Sequence, residues 1–319
     1  MGRVDADMVS RAQIILLAAV AASLLVSLAS SRINPYFLDV TLGAGINIIL
    51  AVSLNLINGY TGQFSLGHAG FMAVGAYSAA VVTTNYGAKL LPLVGGQTWI
   101  LFPLALVVGG LLAAVAGLLV GVPSLRLKGD YLAIVTLGLG EIIKVILQNI
   151  DAVGGARGMI GIPAYSNIFW TFSLAALTVY VVWGLVHSTY GRGFIAVNDD
   201  EVAAEAMGIN PTKYKIIAFV VGAFFAGLAG GIYGHFKQYL APTGFDFTKS
   251  IEIVVMVILG GMGNNVGVII AAILLTVLNE ILRKFGDYRM VLYSVVLIAL
   301  MLTRPQGLFV WPLWKRKVA

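Results

Sequence analysis

Residues 99–120 read WILFPLALVVGGLLAAVAGLLV, a run of 22 residues without a charged side chain. The hydrocarbon core of a bilayer is about 30 Å thick, and about 20 apolar residues of α-helix cross it. Inside lipid, only helices and closed barrels satisfy all of their backbone polar groups. Because this apolar run is continuous rather than alternating, it predicts a helix that spans a membrane.

The whole chain has the same apolar character. Its 319 residues are 59% hydrophobic and 11% charged, whereas soluble domains average about 45–50% apolar and about 25% charged residues. This composition argues against a soluble enzyme, a soluble binding module and a disordered chain. The sequence contains no cysteine, which excludes disulfides, thiolate zinc sites and iron–sulfur clusters. The net charge of +6 comes from Lys and Arg scattered between apolar runs, a pattern typical of membrane topology rather than of nucleic-acid binding.

Nine further apolar runs accompany the first. Six predicted spans precede the longest polar stretch, residues 188–215, and four follow it. The first run is longer than the apolar region of about 7–15 residues in a signal peptide, so we expect it to be retained. The run at 248–260 is short and either crosses or re-enters the membrane. The sequence predicts an all-α, polytopic transmembrane helical bundle of about ten spans, with one domain over residues 1–319. The predicted spans are 12–30, 38–57, 66–84, 99–120, 131–150, 168–187, 216–236, 248–260, 267–282 and 290–303.

An even number of spans places both termini and the polar stretch 188–215 on one side of the membrane. That side carries eleven Lys and Arg residues and the opposite side eight. Its densest basic cluster is Lys315, Arg316 and Lys317. Because cytoplasmic loops are enriched in Lys and Arg, we predict cytoplasmic N and C termini.

The polar stretch contains the pattern of a short helix. Asn198 is a favourable N-cap, and Glu201 follows three residues later, as in a capping box. Acidic residues occupy the first predicted turn, where the helix dipole favours them, and Gly208 provides a C-terminal stop. Asn210 and Pro211 then start a second helix. The sequence therefore predicts two short surface helices that meet at Gly208.

The first of these short helices carries a small apolar stripe at helical spacing. A helix of this length is marginal alone and needs a surface to pack on. The stripe either packs against the membrane helices of the same chain or docks into a groove of a cytoplasmic partner, as amphipathic helices commonly do. Its residues are Val202, Ala203, Ala206 and Met207.

Four segments of the chain resemble a known family. Residues 202–208, VAAEAMG, resemble the cytoplasmic E-A-A-x-x-x-G coupling loop of bacterial ABC importer permeases, although Val202 stands where that family usually has Glu. Three others are similar to LivM-type permease subunits of branched-chain amino acid ABC importers, and they occur in the expected order. They are 58–71, NGYTGQFSLGHAGF, then 125–138, LRLKGDYLAIVTLG, and 304–309, RPQGLF. The resemblance covers almost the whole chain.

The resemblance implies an ABC importer permease that translocates branched-chain or similar neutral amino acids across the bacterial inner membrane. It implies three kinds of partner: a second permease subunit (a sister LivH-like subunit or a second copy), two cytoplasmic ATP-binding subunits, and a periplasmic amino-acid-binding protein. It also implies that the loop couples the permease to the ATPases. The residues involved would be Asn198, Asp199, Glu201, Ala203, Ala204, Glu205, Ala206, Met207 and Gly208.

The residues themselves leave other transport functions open. A urea or short-amide permease would share the architecture. An ion-coupled secondary transporter would need an isolated carboxylate in the membrane, for which Glu141 is the candidate. An enzyme is not expected, because the sequence lacks a Walker-type nucleotide-binding run and its three histidines are far apart. We expect no cofactor, no metal and no nucleic-acid partner.

A Gly-rich segment at 59–75 is the first candidate for a substrate pathway. Polar side chains within a membrane usually face a bundle interior or a pathway, and irregular backbone there lies inside protein or beside a water-filled cavity. This segment contributes Gln63, Ser65 and His68. The alternative is helix packing, with Gln63 and Ser65 in a cytoplasmic turn and His68 a satisfied buried histidine.

The second and fifth predicted spans add further candidates for the pathway. Asn47 and Asn55 are eight residues apart and therefore share a helix face. Glu141 lies one helical turn before Lys144, so the two either pair with each other or meet the charged groups of a substrate.

Overall fold

The computed structural model describes residues 2–29, 34–92, 95–124, 129–303 and 307–308. A π-helical turn, Leu56–Tyr60, extends the second helix, and two short strands, β1 (Met159–Ile160) and β2 (Tyr239–Leu240), pair antiparallel. The helices of the described residues are α1 (Gly2–Ala29), α2 (Pro35–Asn55), α3 (His68–Thr84), α4 (Gly87–Leu90), α5 (Thr98–Ser124), α6 (Asp130–Gln148), α7 (Ile168–His187), α8 (Thr189–Asp199), α9 (Glu201–Ala206), α10 (Pro211–Lys237), α11 (Phe247–Gly260), α12 (Asn265–Leu282) and α13 (Arg289–Thr303).

One predicted feature and parts of two others lie outside the described residues. They are the basic cluster at 315–317, most of the end motif at 304–309, and the first four residues of the segment at 125–138.

Seven helices in the described part of the chain are long and apolar enough to cross a membrane. This confirms a polytopic helical transmembrane protein, and each of the seven coincides with a predicted span. The count of ten is not confirmed, because the other three runs form the shorter helices α3, α11 and α13, of 17, 14 and 15 residues. The seven are Ala12–Ala29, Pro35–Tyr60, Thr98–Val122, Tyr131–Gln148, Ile168–His187, Pro211–Lys237 and Asn265–Gly286.

Helix α2 runs antiparallel to α10 and α12. Lys237, at the end of α10, pairs with Asp39 near the start of α2 at 2.8 Å. Asn265, at the start of α12, accepts a hydrogen bond from Asn55 at the end of α2 at 2.9 Å. The bundle therefore has two ends. We call the end that holds the last turn of α2 and the first turns of α10 and α12 the coupling end, and the other the opposite end.

Helices α3 and α11 begin in the middle of the bundle rather than at either end. The N–H of Ala69, in the first turn of α3, donates to the hydroxyl of Ser250, in the first turn of α11, at 3.3 Å. The irregular segments 61–67 and 238–246 lead to this point from the coupling end and from the opposite end, respectively. At a rise of 1.5 Å per residue, α11 is only about 21 Å long. Segment 61–67 therefore approaches the bilayer middle without helical structure, and segment 238–246 does so through β2 and one 3-10 turn, Pro242–Phe245. Such backbone is tolerated there only inside protein or beside a cavity.

The centre of the bundle is α10, which packs against α2, α3 and α5. Glycines bring these backbones into contact. A Cβ added to Gly75 of α3 would lie 2.2 Å from the Cα of Gly227 on α10. Small residues permit such close approach in membranes, where packing rather than the hydrophobic effect joins helices. At Gly75, the Gly-rich character of the predicted third span is therefore explained by helix packing.

The start of α10 corrects the predicted span 216–236. The Asn210 side chain accepts a hydrogen bond from the Lys213 N–H at 3.1 Å, and Pro211 occupies the first helical position. The predicted cap is confirmed. The helix that it starts is α10 itself, however, so the prediction of a separate second surface helix is wrong.

Candidate functional site

The short helix α9 at the coupling end is capped by Asp200 rather than by Asn198. The Asp200 carboxylate accepts hydrogen bonds from the N–H groups of Val202 and Ala203 at 2.9 and 3.0 Å. Asn198 lies in the last turn of α8, and its side-chain amide donates to the Gly59 carbonyl oxygen at 3.2 Å. The predicted Asn198 cap is therefore wrong, because Asp is as good an N-cap and Asn198 is used in a tertiary contact. Asp199, expected in the first turn of this helix, is instead the last residue of α8.

Gly208 ends α9, as predicted, with a left-handed φ of 84°. Its N–H donates to the Glu205 carbonyl oxygen at 2.9 Å, and the Ile209 N–H donates to the Ala204 carbonyl oxygen at 3.0 Å. These two bonds form a Schellman turn. A residue with a Cβ adopts this φ only with strain, so Gly208 sets the path from α9 into α10.

The apolar stripe of α9 faces away from the protein. Val202 is 69% exposed and Met207 is 82% exposed. Ala203 and Ala206 are exposed as well, whereas Ala204 is buried against the protein. Within the described residues, the stripe therefore does not pack on the membrane helices of the same chain, and it is open to a partner.

Two contacts attach α8 and α9 to the membrane helices. The Glu201 carboxylate lies 2.8 Å from the ammonium of Lys215, a buried residue near the start of α10. The carbonyl oxygen of Lys215 in turn accepts a hydrogen bond from the Gln63 side chain at 3.4 Å. Together with the bond between Asn198 and Gly59, these contacts connect α9 to the end of α2 and the start of α10. No pattern in the sequence indicated the role of Lys215, because its partner Glu201 lies on the other side of the Gly208 turn.

Asn47 and Asn55 both face α12, as their spacing predicts. The Asn55 side-chain amide donates to Asn265 at 2.9 Å, and its oxygen accepts from the Gly263 N–H at 2.9 Å. Asn55 thus joins the end of α2 to the turn before α12. The Asn47 amide donates to the Thr276 hydroxyl at 2.9 Å, about two helical turns closer to the opposite end.

Gln63, Ser65 and His68 are buried in and just after the irregular segment between α2 and α3. Gln63 and Ser65 are enclosed by protein, whereas the alternative interpretation placed these two residues in a cytoplasmic turn. His68 Nε2 lies 2.9 Å from the Ser53 hydroxyl, and the Gln63 amide donates to the Thr61 hydroxyl at 2.7 Å. Three of their atoms are buried without a hydrogen-bond partner among the described residues: Gln63 Oε1, Ser65 Oγ and His68 Nδ1.

Glu141 and Lys144 form the predicted ion pair on α6. The Glu141 carboxylate also accepts a hydrogen bond from the N–H of Phe247, the first residue of α11, at 3.1 Å. A negative charge is favourable at a helix N-terminus. Glu141 therefore fastens α6 to the start of α11 in the middle of the bundle. Because this carboxylate is already engaged, it does not have the isolation that an ion-coupling group needs.

The bundle defines a polytopic helical membrane protein in which the short helix α9 exposes an apolar stripe at one end. Residues 36–303 match the family described as branched-chain amino acid transport system / permease component. The chain belongs to this family.

Named relatives cover most of the chain. The high-affinity branched-chain amino acid transport system permease protein LivM of Salmonella typhimurium is 35% identical over 305 residues, which is 85% of this chain and 69% of the relative. LivM of Escherichia coli is 36% identical over 298 residues, 82% of this chain and 67% of the relative. The corresponding permease protein LivH of Salmonella typhimurium is 23% identical over 293 residues, 85% of this chain and 93% of the relative. No solved structure matches the chain.

Proposed function

We propose that the chain is the membrane-spanning permease subunit of an ATP-driven ABC importer and translocates branched-chain or similar neutral amino acids across the bacterial inner membrane. The observation that carries this proposal is the exposed apolar stripe of α9, presented at the coupling end of a membrane bundle. Family membership supports the permease role. The names of the LivM relatives, which are branched-chain amino acid permease proteins, support the substrate class.

The proposed importer needs several partners. A second permease subunit, either LivH-like or a second copy of this chain, would complete the membrane part, and the similarity to LivH supports a sister subunit. Two cytoplasmic ATP-binding subunits would dock on α9 and hydrolyse ATP. A periplasmic amino-acid-binding protein would deliver substrate to the opposite end.

The proposed topology is ten-pass, with cytoplasmic termini and one permease domain over residues 1–319 that carries the coupling loop 188–215. Segments 61–84 and 238–260 would each cross as an irregular half followed by a short helix. A hydrogen bond at the coupling end supports a cytoplasmic C terminus. There the N–H of Leu308 donates to the Leu259 carbonyl oxygen, at a distance of 2.8 Å. A contact of 3.0 Å between the hydroxyls of Ser23 and Ser173 supports a cytoplasmic N terminus. It places the end of α1 near the start of α7, so that the start of α1 lies toward the end of α7, where α8 and α9 follow.

In the proposed mechanism, closure of the ATPase pair moves α9, and its contacts pass the motion to the membrane helices. The pair Glu201–Lys215 would move the start of α10, and the bond from Asn198 to Gly59 would move the end of α2. A substrate that bound the inward- and outward-facing states equally would shift nothing, so the bias must come from this docking. The candidates for the pathway remain Asn47, Asn55, Gln63, Ser65, His68 and Glu141.

The deciding experiment is uptake by the importer purified with its co-encoded partners and reconstituted in liposomes. We expect uptake of labelled leucine that requires ATP and the binding protein and survives collapse of ion gradients. Uptake that continues without ATP and stops with an ionophore would establish a secondary transporter instead. Uptake of urea but not of leucine would replace the substrate class.

A further inference from the structure

A polar cavity of about 230 Å³ lies between α2, α10, α11 and α12 and extends from the opposite end toward the middle of the bundle. Its polar lining includes Asp39, Asn47, Lys237, Lys249, Glu252 and Thr276. Asn47 is twelve residues into α2, or about 18 Å along that helix. The cavity therefore reaches about halfway across a bilayer core.

Two ion pairs divide the cavity into a mouth and a floor. At the mouth, the Lys237 ammonium lies 2.8 Å from Asp39, and both side chains are well exposed. At the floor, the Lys249 ammonium lies 2.9 Å from Glu252, and both side chains are largely buried. Lys249 also donates to the Asn47 side-chain oxygen at 3.3 Å. The floor thus presents a cation and an anion side by side at the start of α11.

A charged pair at this depth is expensive to keep. Ionisable side chains inside a membrane are rare and usually mark a substrate or ion pathway. An ion pair that served packing alone would be expected to be enclosed by its neighbours, yet this one borders open space that continues to the opposite end. Apolar side chains also line the cavity, among them Val40, Ile46, Met72 and Phe236.

We propose that this cavity is a binding site for a zwitterionic amino acid within a single permease subunit. The Lys249 ammonium would receive the substrate carboxylate, and Glu252 the substrate ammonium. The apolar wall at Ile46, Met72 and Phe236 would accept an aliphatic side chain. This inference rests on the proposed function, and it assigns the substrate a place near the bilayer middle that is reached from the side opposite to α9.

Accessibility of a single thiol tests whether the cavity binds substrate. The natural sequence has no cysteine, so Asn279→Cys places a unique thiol in the cavity lining. In the reconstituted importer, a charged methanethiosulfonate reagent added outside should modify it. Leucine at about ten times its Kd should slow the modification about tenfold, because only about a tenth of the sites then remain free. The matched control is Lys284→Cys, an exposed position just beyond the end of α12 and outside the cavity, where the reagent should react and leucine should have no effect. Equal modification rates with and without leucine at Asn279→Cys would overturn the proposal.

Exchange of the floor charges separates a binding role from a structural one. Lys249→Glu combined with Glu252→Lys keeps an ion pair but reverses its direction, which would turn the substrate side chain away from the apolar wall. We expect leucine uptake to fall about tenfold, since a buried charge-assisted contact is lost. Wild-type uptake by the double variant would show that the ion pair has only a structural role. Because wild-type uptake is measured beside it, failure of the whole importer to transport any amino acid would count against the proposed function and not against the cavity alone.

Discussion

Gly208 offers the sharpest test of the coupling helix, because its replacement acts through the backbone alone. A Cβ built on Gly208 meets no atom within 4 Å, yet the residue has a φ of 84°. The Cβ of Gly208→Val therefore meets no neighbour, but the substitution forces a β-branched residue into the left-handed region. Such strain costs roughly 1–3 kcal/mol.

That strain is as large as the interactions that hold α9 in place. The helix has six residues and is too short to be stable alone. Its Asp200 cap contributes about 1 kcal/mol, and the partly exposed Glu201–Lys215 pair about 0–1 kcal/mol. Every 1.4 kcal/mol is about a tenfold change in an equilibrium. We therefore expect Gly208→Val to lower the population of α9 in its native position about five- to 150-fold.

The assay compares three measurements on each variant: membrane insertion, co-purification of the ATPase subunits, and ATP-dependent leucine uptake. Gly208→Val should insert normally but lose most ATPase co-purification and uptake. Gly208→Asn is the matched control, since Asn adopts positive φ with little strain, and it should retain both. Wild-type uptake and co-purification with Gly208→Val would refute the assignment of this loop as the coupling element.

Three further predictions concern other parts of the chain. Ala203→Trp, on the exposed face of α9, should abolish ATPase co-purification. Asp199→Asn removes a negative charge from the exposed C-terminal end of α8, where the helix dipole does not favour it, so co-purification should be retained; equal effects of the two would contradict a docking face. Asn55→Leu leaves the Gly263 N–H and the Asn265 side chain without their hydrogen bonds to Asn55. The melting temperature in detergent should drop, because each unpaired buried group costs roughly 1–3 kcal/mol. Asn149→Leu, at an exposed position, should leave the melting temperature unchanged. Alkaline phosphatase fused after Ala319 should be inactive, since we propose a cytoplasmic C terminus, and high periplasmic activity would refute the ten-pass topology.

The membrane character of the protein follows from sequence alone, because it depends on local composition. A run such as 99–120 is long and apolar enough to need lipid whatever surrounds it. Caps are also local, and Asn210 with Pro211 starts α10 as the sequence predicts. The positive φ of Gly208 belongs to the same class, since a glycine after a short helix commonly adopts it.

The predicted N-cap of α9 was wrong because two nearby residues compete for that position. Asn198 and Asp200 are both good N-caps, so local preference does not choose between them. The choice is made by the Gly59 carbonyl oxygen, which lies 139 residues earlier in the chain and accepts the Asn198 amide. Sequence inspection has no access to such a contact.

Composition, the seven long spans and the turn at Gly208 were determined by the sequence itself, because each depends on residues close together in the chain. Tertiary structure alone decided that α3 and α11 start in mid-bundle, since their irregular approaches are tolerated only where other helices enclose them. It also decided that the stripe of α9 faces outward, because burial depends on what packs against a face and not on the spacing of its residues. The placement of Lys249 and Glu252 beside Asn47 belongs to the same category, because Lys249 and Asn47 are 202 positions apart in the sequence and meet only through the packing of α11 against α2.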